Sequence, residues 1–168
     1  KSIYAPLPDG QARALRSAYE VSGVTPRSIG LVEAHGTGTK AGDKAEFQGL
    51  CSVYGDHSDD RQWCAVGSVK SQIGHTKAAA GAAGVLKAAL ALHHKVLPGT
   101  LKVEAPNPAL ALEESPFYIN TETRPWLAQD APRRAAVSSF GFGGSNFHLV
   151  LEEYRTARCA PAWDGSIQ

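Results

Sequence analysis

The 168-residue sequence contains no methionine, and its three cysteines, Cys51, Cys64 and Cys159, form no CxxC pair and no even framework. That usage fits a reducing cytosol, predicts a cytoplasmic location, and speaks against a disulfide scaffold or a structural zinc site. No charge of one sign dominates: the formal net charge is +1, which gives no ground for a nucleic-acid or anionic-membrane partner. No apolar run is long enough to span a bilayer; the longest, Ala78–Leu92, is interrupted by Lys87. Lys1–Gly10 has no apolar core segment of the kind a signal peptide needs. Internal repeats are absent as well. A chain without an initiating Met that opens on KSIYAPLPDG, a Pro- and Gly-bearing loop, reads as a piece of a longer protein or as one with a trimmed N-terminus.

What is present is ordinary in bulk. With 43% apolar and 20% charged residues, the chain suits one globular domain with a core, or half of a larger one. Pro8-Asp9-Gly10 reads as a turn, and Gln11–Val21 as a helix ended by Gly23. Ile29, Leu31 and Val32 read as a short buried strand, and His35–Gly42 as a Gly/Thr loop. Asp43, with Glu46 three residues on, makes a capping-box-like start for a helix running to about Tyr54. Trp63–Val69 is a second buried strand; the Lys70–Thr76 loop leads to a helix from about Thr76 to His93. Leu97–Arg134 holds six prolines and is predicted to be extended connector, with Phe117–Asn120 its most strand-like piece. Ala135–Phe140 and Phe147–Glu152 are predicted as strands around a Gly141–Asn146 turn. The domain is predicted over residues 1–154, with a linker over 155–168.

Strand and helix alternating, then a strand pair, imply a layered α/β domain. Ala78–Leu92 is small or apolar nearly all round and is predicted to be buried on more than one side. Gly81 and Gly84 each cost roughly 1 kcal/mol against Ala in a helix interior. That cost is accepted most readily where neighbouring elements approach closely, as for a helix between two sheets.

His35-Gly36-Thr37-Gly38-Thr39 lies just past a strand end, where α/β proteins place their sites. Two other readings compete: a turn with an incidental His, and a dinucleotide loop built on Gly36, Gly38 and Gly42, whose acidic ribose partner has no convincing candidate. Lys70 and His75 follow the second strand, so a parallel sheet brings their loop to the same edge as His35. No Asp–His–Ser order is visible. Two histidines and a lysine suit polarising a carbonyl and stabilising an enolate; His75 as a mere neighbour of a helix start is the bland alternative. Glu46 can reach Lys70 as a buried pair, or stand solvated on its helix. Ser138–Asn146 offers flexible backbone, an aromatic and an Asn, or simply a hairpin turn. His93 and His94 are adjacent on a helix and cannot chelate one metal. His57 reads as solvated, and Cys51 and Cys64 as core packing.

Together, VEAHGTGTKAGDKAE, GSVKSQIGHTKAAAGAAG and SSFGFGGSNFHLVLEEY resemble, in order and spacing, the C-terminal half of a β-ketoacyl synthase. The resemblance covers Lys1 to Tyr154. The wording of KSQIGHTKAAAG, ALALHHKVLPGT and SPFYINTETRPW looks most like ketosynthases of polyunsaturated fatty acid synthases and related iterative polyketide synthases, enediyne types included. It implies a thiolase-like fold, two similar halves giving an αβαβα core, normally a homodimer. It implies decarboxylative Claisen condensation with no directly bound cofactor or metal, the malonyl group arriving on the phosphopantetheine arm of an acyl carrier protein. His35 and His75 are then the catalytic histidines, and Lys70 an electrostatic organiser acting through Glu46. Thr37 and Thr39 contact the phosphopantetheine arm. Phe142 is the gating aromatic, its N–H the second oxyanion donor, and Asn146 braces that loop. The family's nucleophile, a Cys in a run such as DTACSSS, is absent. In the family it lies in the N-terminal half, so this chain is expected to need that half and to be inactive alone. A non-catalytic half-domain or chain-length-factor-like partner is the alternative, against which the intact HGTGT and GHTK motifs speak.

Overall fold

Alternation along short central strands divides the molecule into two faces. The computed structural model describes residues 5–57, 60–127 and 131–155. The side chain of His57, Cys159 and all but the first residue of the expected linker lie outside the described residues. The strands are β1 (Leu31–Glu33), β2 (Cys64–Gly67), β3 (Val96–Leu97), β4 (Phe117–Ile119), β5 (Arg124–Pro125), β6 (Arg134–Phe140) and β7 (Asn146–Glu152). The main sheet runs β4-β2-β1-β6-β7, with its first four strands parallel and β7 antiparallel to β6. On one face Val32, Cys64, Val66, Phe117 and Ala136 pack under α1 (Pro8–Ser22) and α2 (Lys40–Tyr54). On the other, Leu31, Ala65, Ala135 and Val137 pack under α4 (Ala80–His94). The period of two residues places neighbours on opposite faces, and the result is the layered α/β arrangement that the sequence predicts.

Several element boundaries differ from the sequence reading, each for a local reason. Pro8 does not end a turn but opens α1, with Asp9 in its first turn; proline suits the first helical position because its missing N–H has no partner there anyway. The helix closes as expected on Gly23, in the left-handed conformation at φ 64°. α2 starts at Lys40, three residues before Asp43, because Thr39 is its cap: Thr39 Oγ1 accepts from the Gly42 N–H at 3.2 Å. Asp43 therefore sits inside the first turn, and the capping box with Glu46 does not form. Lys70–Ile73 is not plain loop but a helical turn, α3. The proline-rich connector supplies β4 to the main sheet and a two-stranded β3–β5 ribbon.

The helix α4 is buried on one side, not on several. Ala80, Ala88, Ala91 and Leu92 are buried, while Leu86 is 61% exposed and Leu90 47%. Its glycines do what close approach requires. A Cβ on Gly81 would meet Ser139 Oγ at 3.2 Å, and one on Gly84 would meet Val137 Cγ1 at 3.1 Å and Glu33 Cγ at 3.2 Å.

A polar chain runs through the opposite layer. Ser138 Oγ lies 3.0 Å from His148 Nδ1, His148 Nε2 3.1 Å from the Tyr19 hydroxyl, and that hydroxyl 2.5 Å from Tyr54. It links β6, β7, α1 and α2, and burial pushes the His148 imidazole down to about 4. Among the described residues no helix is long and apolar enough to cross a membrane.

Candidate functional site

Parallel pairing sets the site. β1 and β2 run side by side, with Glu33 in register with Gly67, so the loops after them leave the sheet at one edge, as open parallel sheets require. The Ala34 N–H bonds the Gly67 carbonyl at 2.8 Å, which holds the two exits together. The rings of His35 and His75 then meet edge to face, centroids 5.9 Å apart and planes at 89°.

The loop from His35 to Thr39 is clamped from below by Glu46. The His35 N–H donates to Glu46 Oε1 at 2.7 Å and the Gly36 N–H to Oε2 at 2.9 Å. Asp43 Oδ1 accepts from the Gly38 N–H at 3.1 Å. Glu46 is 5% exposed; burial pushes its carboxyl up to about 7, and the two N–H donors work against that shift. The expected buried pair with Lys70 is not made: among the described residues no ion pair joins Glu46 to Lys70, and both carboxylate oxygens are taken by backbone. Gly36 stands at φ 51°, where a Cβ would lie 2.6 Å from Ser68 Cβ. Only glycine fits that conformation and that gap without displacing a neighbour.

Each imidazole has a defined state. Lys77, at the unusual φ of 55°, turns its N–H onto His75 Nδ1 at 3.0 Å. A neutral His75 must then carry its proton on Nε2, and the side chain is otherwise exposed. Burial, with Lys70 and His75 nearby, pushes His35 down to about 4, so it is neutral at pH 7. Its Nδ1 is buried with no hydrogen-bond partner among the described residues, and Phe140 packs on its ring with centroids 5.7 Å apart. Lys70 is half-buried, and burial lowers its ammonium below the ordinary range against the pull of Glu33 and Glu46. Two imidazoles with free N–H or lone-pair positions beside a cation can donate to, and stabilise, a developing oxyanion. A cavity of about 490 Å³ opens beside them, lined by polar Thr37, Lys70 and His75 and by apolar Phe47, Leu50 and Ile119.

The chain matches the family model described as "Beta-ketoacyl synthase, C-terminal domain" over residues 1–104. It belongs to the β-ketoacyl synthase family. Residues 106–166 match a second model, "Ketoacyl-synthetase C-terminal extension". The chain is 51% identical over 154 residues to polyketide synthase PksL of Bacillus subtilis, covering 91% of this chain and 3% of that protein. It is 51% identical over 160 residues to a polyunsaturated fatty acid synthase polypeptide of Thraustochytrium, covering 90% of this chain and 6% of that one. The solved ketosynthase from module 6 of the bacillaene synthase of Bacillus subtilis superposes with a TM-score of 0.89 at 51% identity, over 92% of this chain and 28% of that one. The chain thus spans about a quarter of that solved ketosynthase, and the fold is thiolase-like, as the sequence resemblance implies.

Of the residues singled out from sequence, His35, His75, Lys70, Thr37 and Glu46 come together here. Thr39 is near too, its Oγ1 3.1 Å from that of Thr37, while also capping α2. Phe142 lies in the Phe142–Gly144 turn between β6 and β7, 74% exposed. Asn146 begins β7, with Nδ2 3.3 Å from where a Cβ on Gly10 would be. The aromatic found against His35 is Phe140. Sequence reasoning missed Glu33, which is 2% exposed and pairs with Lys87 at 2.8 Å. The signal that could have found it was a carboxylate in a buried strand and a lone lysine in an Ala/Gly helix, since buried charges need partners.

Proposed function

We propose that this chain supplies the two-histidine part of a β-ketoacyl synthase site that catalyses decarboxylative Claisen condensation. The observation that carries it is the edge-on His35–His75 pair beside Lys70, with the His75 proton set on Nε2 by the Lys77 N–H. The nucleophilic Cys, in this reading, comes from the N-terminal part of the synthase, which the chain does not cover. That part also covers the exposed apolar face of Leu86 and Leu90 on α4, giving the five-layer core, and the complete domain forms a homodimer.

The reaction uses these residues as follows. An acyl group rests on the Cys as a thioester. Malonyl on the phosphopantetheine arm of an acyl carrier protein enters past Thr37 and Thr39, whose hydroxyls hydrogen-bond the arm. The C–C bond to the carboxylate breaks, CO2 leaves, and its electron pair becomes the enolate of the remaining thioester. His75 Nε2–H and His35 hold the enolate oxygen by hydrogen bonds, and Lys70 adds positive potential. The enolate carbon attacks the acyl carbonyl, the tetrahedral oxyanion is held by backbone N–H groups including that of Phe142, and collapse releases the Cys thiolate and the β-ketoacyl thioester. Asn146 braces the Phe142 loop. The carbon chain belongs to polyketide or polyunsaturated fatty acid synthesis, since identity reaches 51% to synthases of both kinds.

His75→Ala in the complete domain tests this. Malonyl decarboxylation is expected to fall by about 10²-fold or more, while acyl loading onto the upstream Cys stays near wild type. Equal loss of loading would show that His75 serves structure instead.

A further inference from the structure

Glu33 is the third residue of β1, on the face that meets α4, and two residues before His35. Its Oε1 accepts from the Val69 N–H at 2.5 Å, and its Oε2 lies 2.8 Å from Lys87 Nζ. Both side chains of the pair are buried, 2% and 9% exposed. Val69 is the residue that opens α3; it receives no cap from its own side chain, and Lys70 follows directly.

The surrounding backbone is cut to fit this pair. A Cβ on Gly84 of α4 would press on Glu33 Cγ at 3.2 Å. A Cβ on Gly67 of β2 would strike Thr100 Oγ1, and it would sit at ordinary contact distance, 3.9 Å, from Lys87 Nζ. Stability does not account for such a pair: a buried ion pair is often no better than apolar residues of the same volume. Its geometry offers another reason. The loop leaving β1 carries His35, the Val69 junction carries Lys70 and His75, and one carboxylate ties the two exits to a third element, α4.

We propose that Glu33, clamped by Lys87, is a positioning residue that fixes the junction presenting Lys70 and His75 to the site. The inference rests on the condensing reading above. The charge acts alongside the hydrogen bond. Glu33 on β1 and Glu46 on α2 are the carboxylates acting on Lys70; His35 and His75 flank the same site, and Lys87 on α4 opposes them. Neutralising Glu33 therefore removes one of the two carboxylates that favour the Lys70 ammonium against burial.

The test uses the complete ketosynthase domain and the double variant Glu33→Gln with Lys87→Met, which removes both charges at nearly constant volume. Malonyl decarboxylation is expected to lose at least about tenfold in kcat, with acyl loading within about twofold of wild type. In Glu33→Gln alone, which leaves Lys87 in place, the alkaline limb of the decarboxylation profile is expected to move to lower pH, because Lys70 loses one of its two carboxylates. Decarboxylation by the double variant within about twofold of wild type, an unmoved limb in Glu33→Gln, or a parallel fall in loading would each overturn the proposal. If the double variant fails to fold, Glu33→Gln alone carries the test, since it keeps an acceptor for Val69 and loses only the charge; an unmoved limb there overturns it. A wild-type domain that does not decarboxylate malonyl thioesters would instead overturn the condensing reading itself.

Discussion

Replacing Gly36 by Ala should damage the site through both conformation and space. The residue sits at φ 51°, and a side chain in the left-handed region costs roughly 1–2 kcal/mol. The larger problem is space. The new Cβ would lie 2.6 Å from Ser68 Cβ and 2.9 Å from Ser68 Oγ, whereas carbon atoms in contact prefer about 3.5–4.0 Å. Ser68 Cβ is fixed to its backbone and cannot rotate away, so the His35 loop must move by about 1 Å to relieve it. The Gly36 N–H starts 2.9 Å from Glu46, and such a shift carries it past the limit of about 3.2 Å for a sound bond. Leaving a buried partner unsatisfied costs about 1–3 kcal/mol, so the loss of stability totals about 2–5 kcal/mol.

His35 is the chain neighbour and moves with the loop. A misplacement of about 1 Å is worth about 10²-fold in rate, which is the expected loss in malonyl decarboxylation by the complete domain. Ser68→Gly separates the two causes. It deletes the atoms that the introduced methyl would strike and leaves only the conformational cost. The double variant, Gly36→Ala with Ser68→Gly, is therefore expected to recover decarboxylation to within about tenfold of Ser68→Gly alone. Gly36→Ala with a wild-type rate would refute the reasoning, as would a double variant no better than the single one.

Two further outcomes follow from buried groups. His148 takes a proton at 6.5 in the unfolded chain but only at about 4 in the fold. Its contribution is full above pH 6.5, and about 3 kcal/mol of stability is lost as pH falls from there to about 4. Urea titrations across that window should show the slope, and His148→Asn should flatten it; an unchanged slope in the variant rules His148 out as its source. The thiols give the second outcome. Burial pushes Cys51 up to about 11 and Cys64 well above the ordinary thiol range, so neither offers thiolate at neutral pH. Cys51 and Cys64 should resist acylation by thioester substrates and cerulenin-type inhibitors, and stoichiometric labelling at either by mass spectrometry would contradict that.

Most of the scaffold was legible because its signals are local. Strand alternation, Gly23 as a helix stop and the small-residue helix each lie within a few residues of the structure they specify. The errors came where one local signal competed with another. Asp43 and Glu46 have capping-box spacing, but Thr39 is a cap too, and once Thr39 closes on the Gly42 N–H, Glu46 turns toward the His35 loop. The loop then has two N–H groups to satisfy and takes both oxygens that Lys70 was expected to share. That His35 and His75 meet at one edge of the sheet was legible from their strand-end positions. The Glu33–Lys87 pair was not, because no spacing rule links a strand residue to a helix far along the chain, and only the fold shows that they meet.

The Ala/Gly helix and the site answer to one geometric demand. α4 comes close enough to the sheet for Gly84 to rest on Val137 and Glu33, and only at that approach can Lys87, one turn on, reach the Glu33 carboxylate. A larger residue at Gly84 would lift the helix and take the ammonium with it. The same helix leaves Leu86 and Leu90 outward, and α3 leaves Ile73 58% exposed two residues before His75. Fully burying such side chains is worth about 1.5–3 kcal/mol each, so in the proposed assembly a strong apolar seam lies directly beside the histidines. A partner half that closes this seam is drawn by its apolar surface to the edge where His75 waits. Packing and chemistry are thus registered by one element: the inner face of α4 sets the charge behind the site, and in the proposed assembly its outer face sets where the nucleophile arrives.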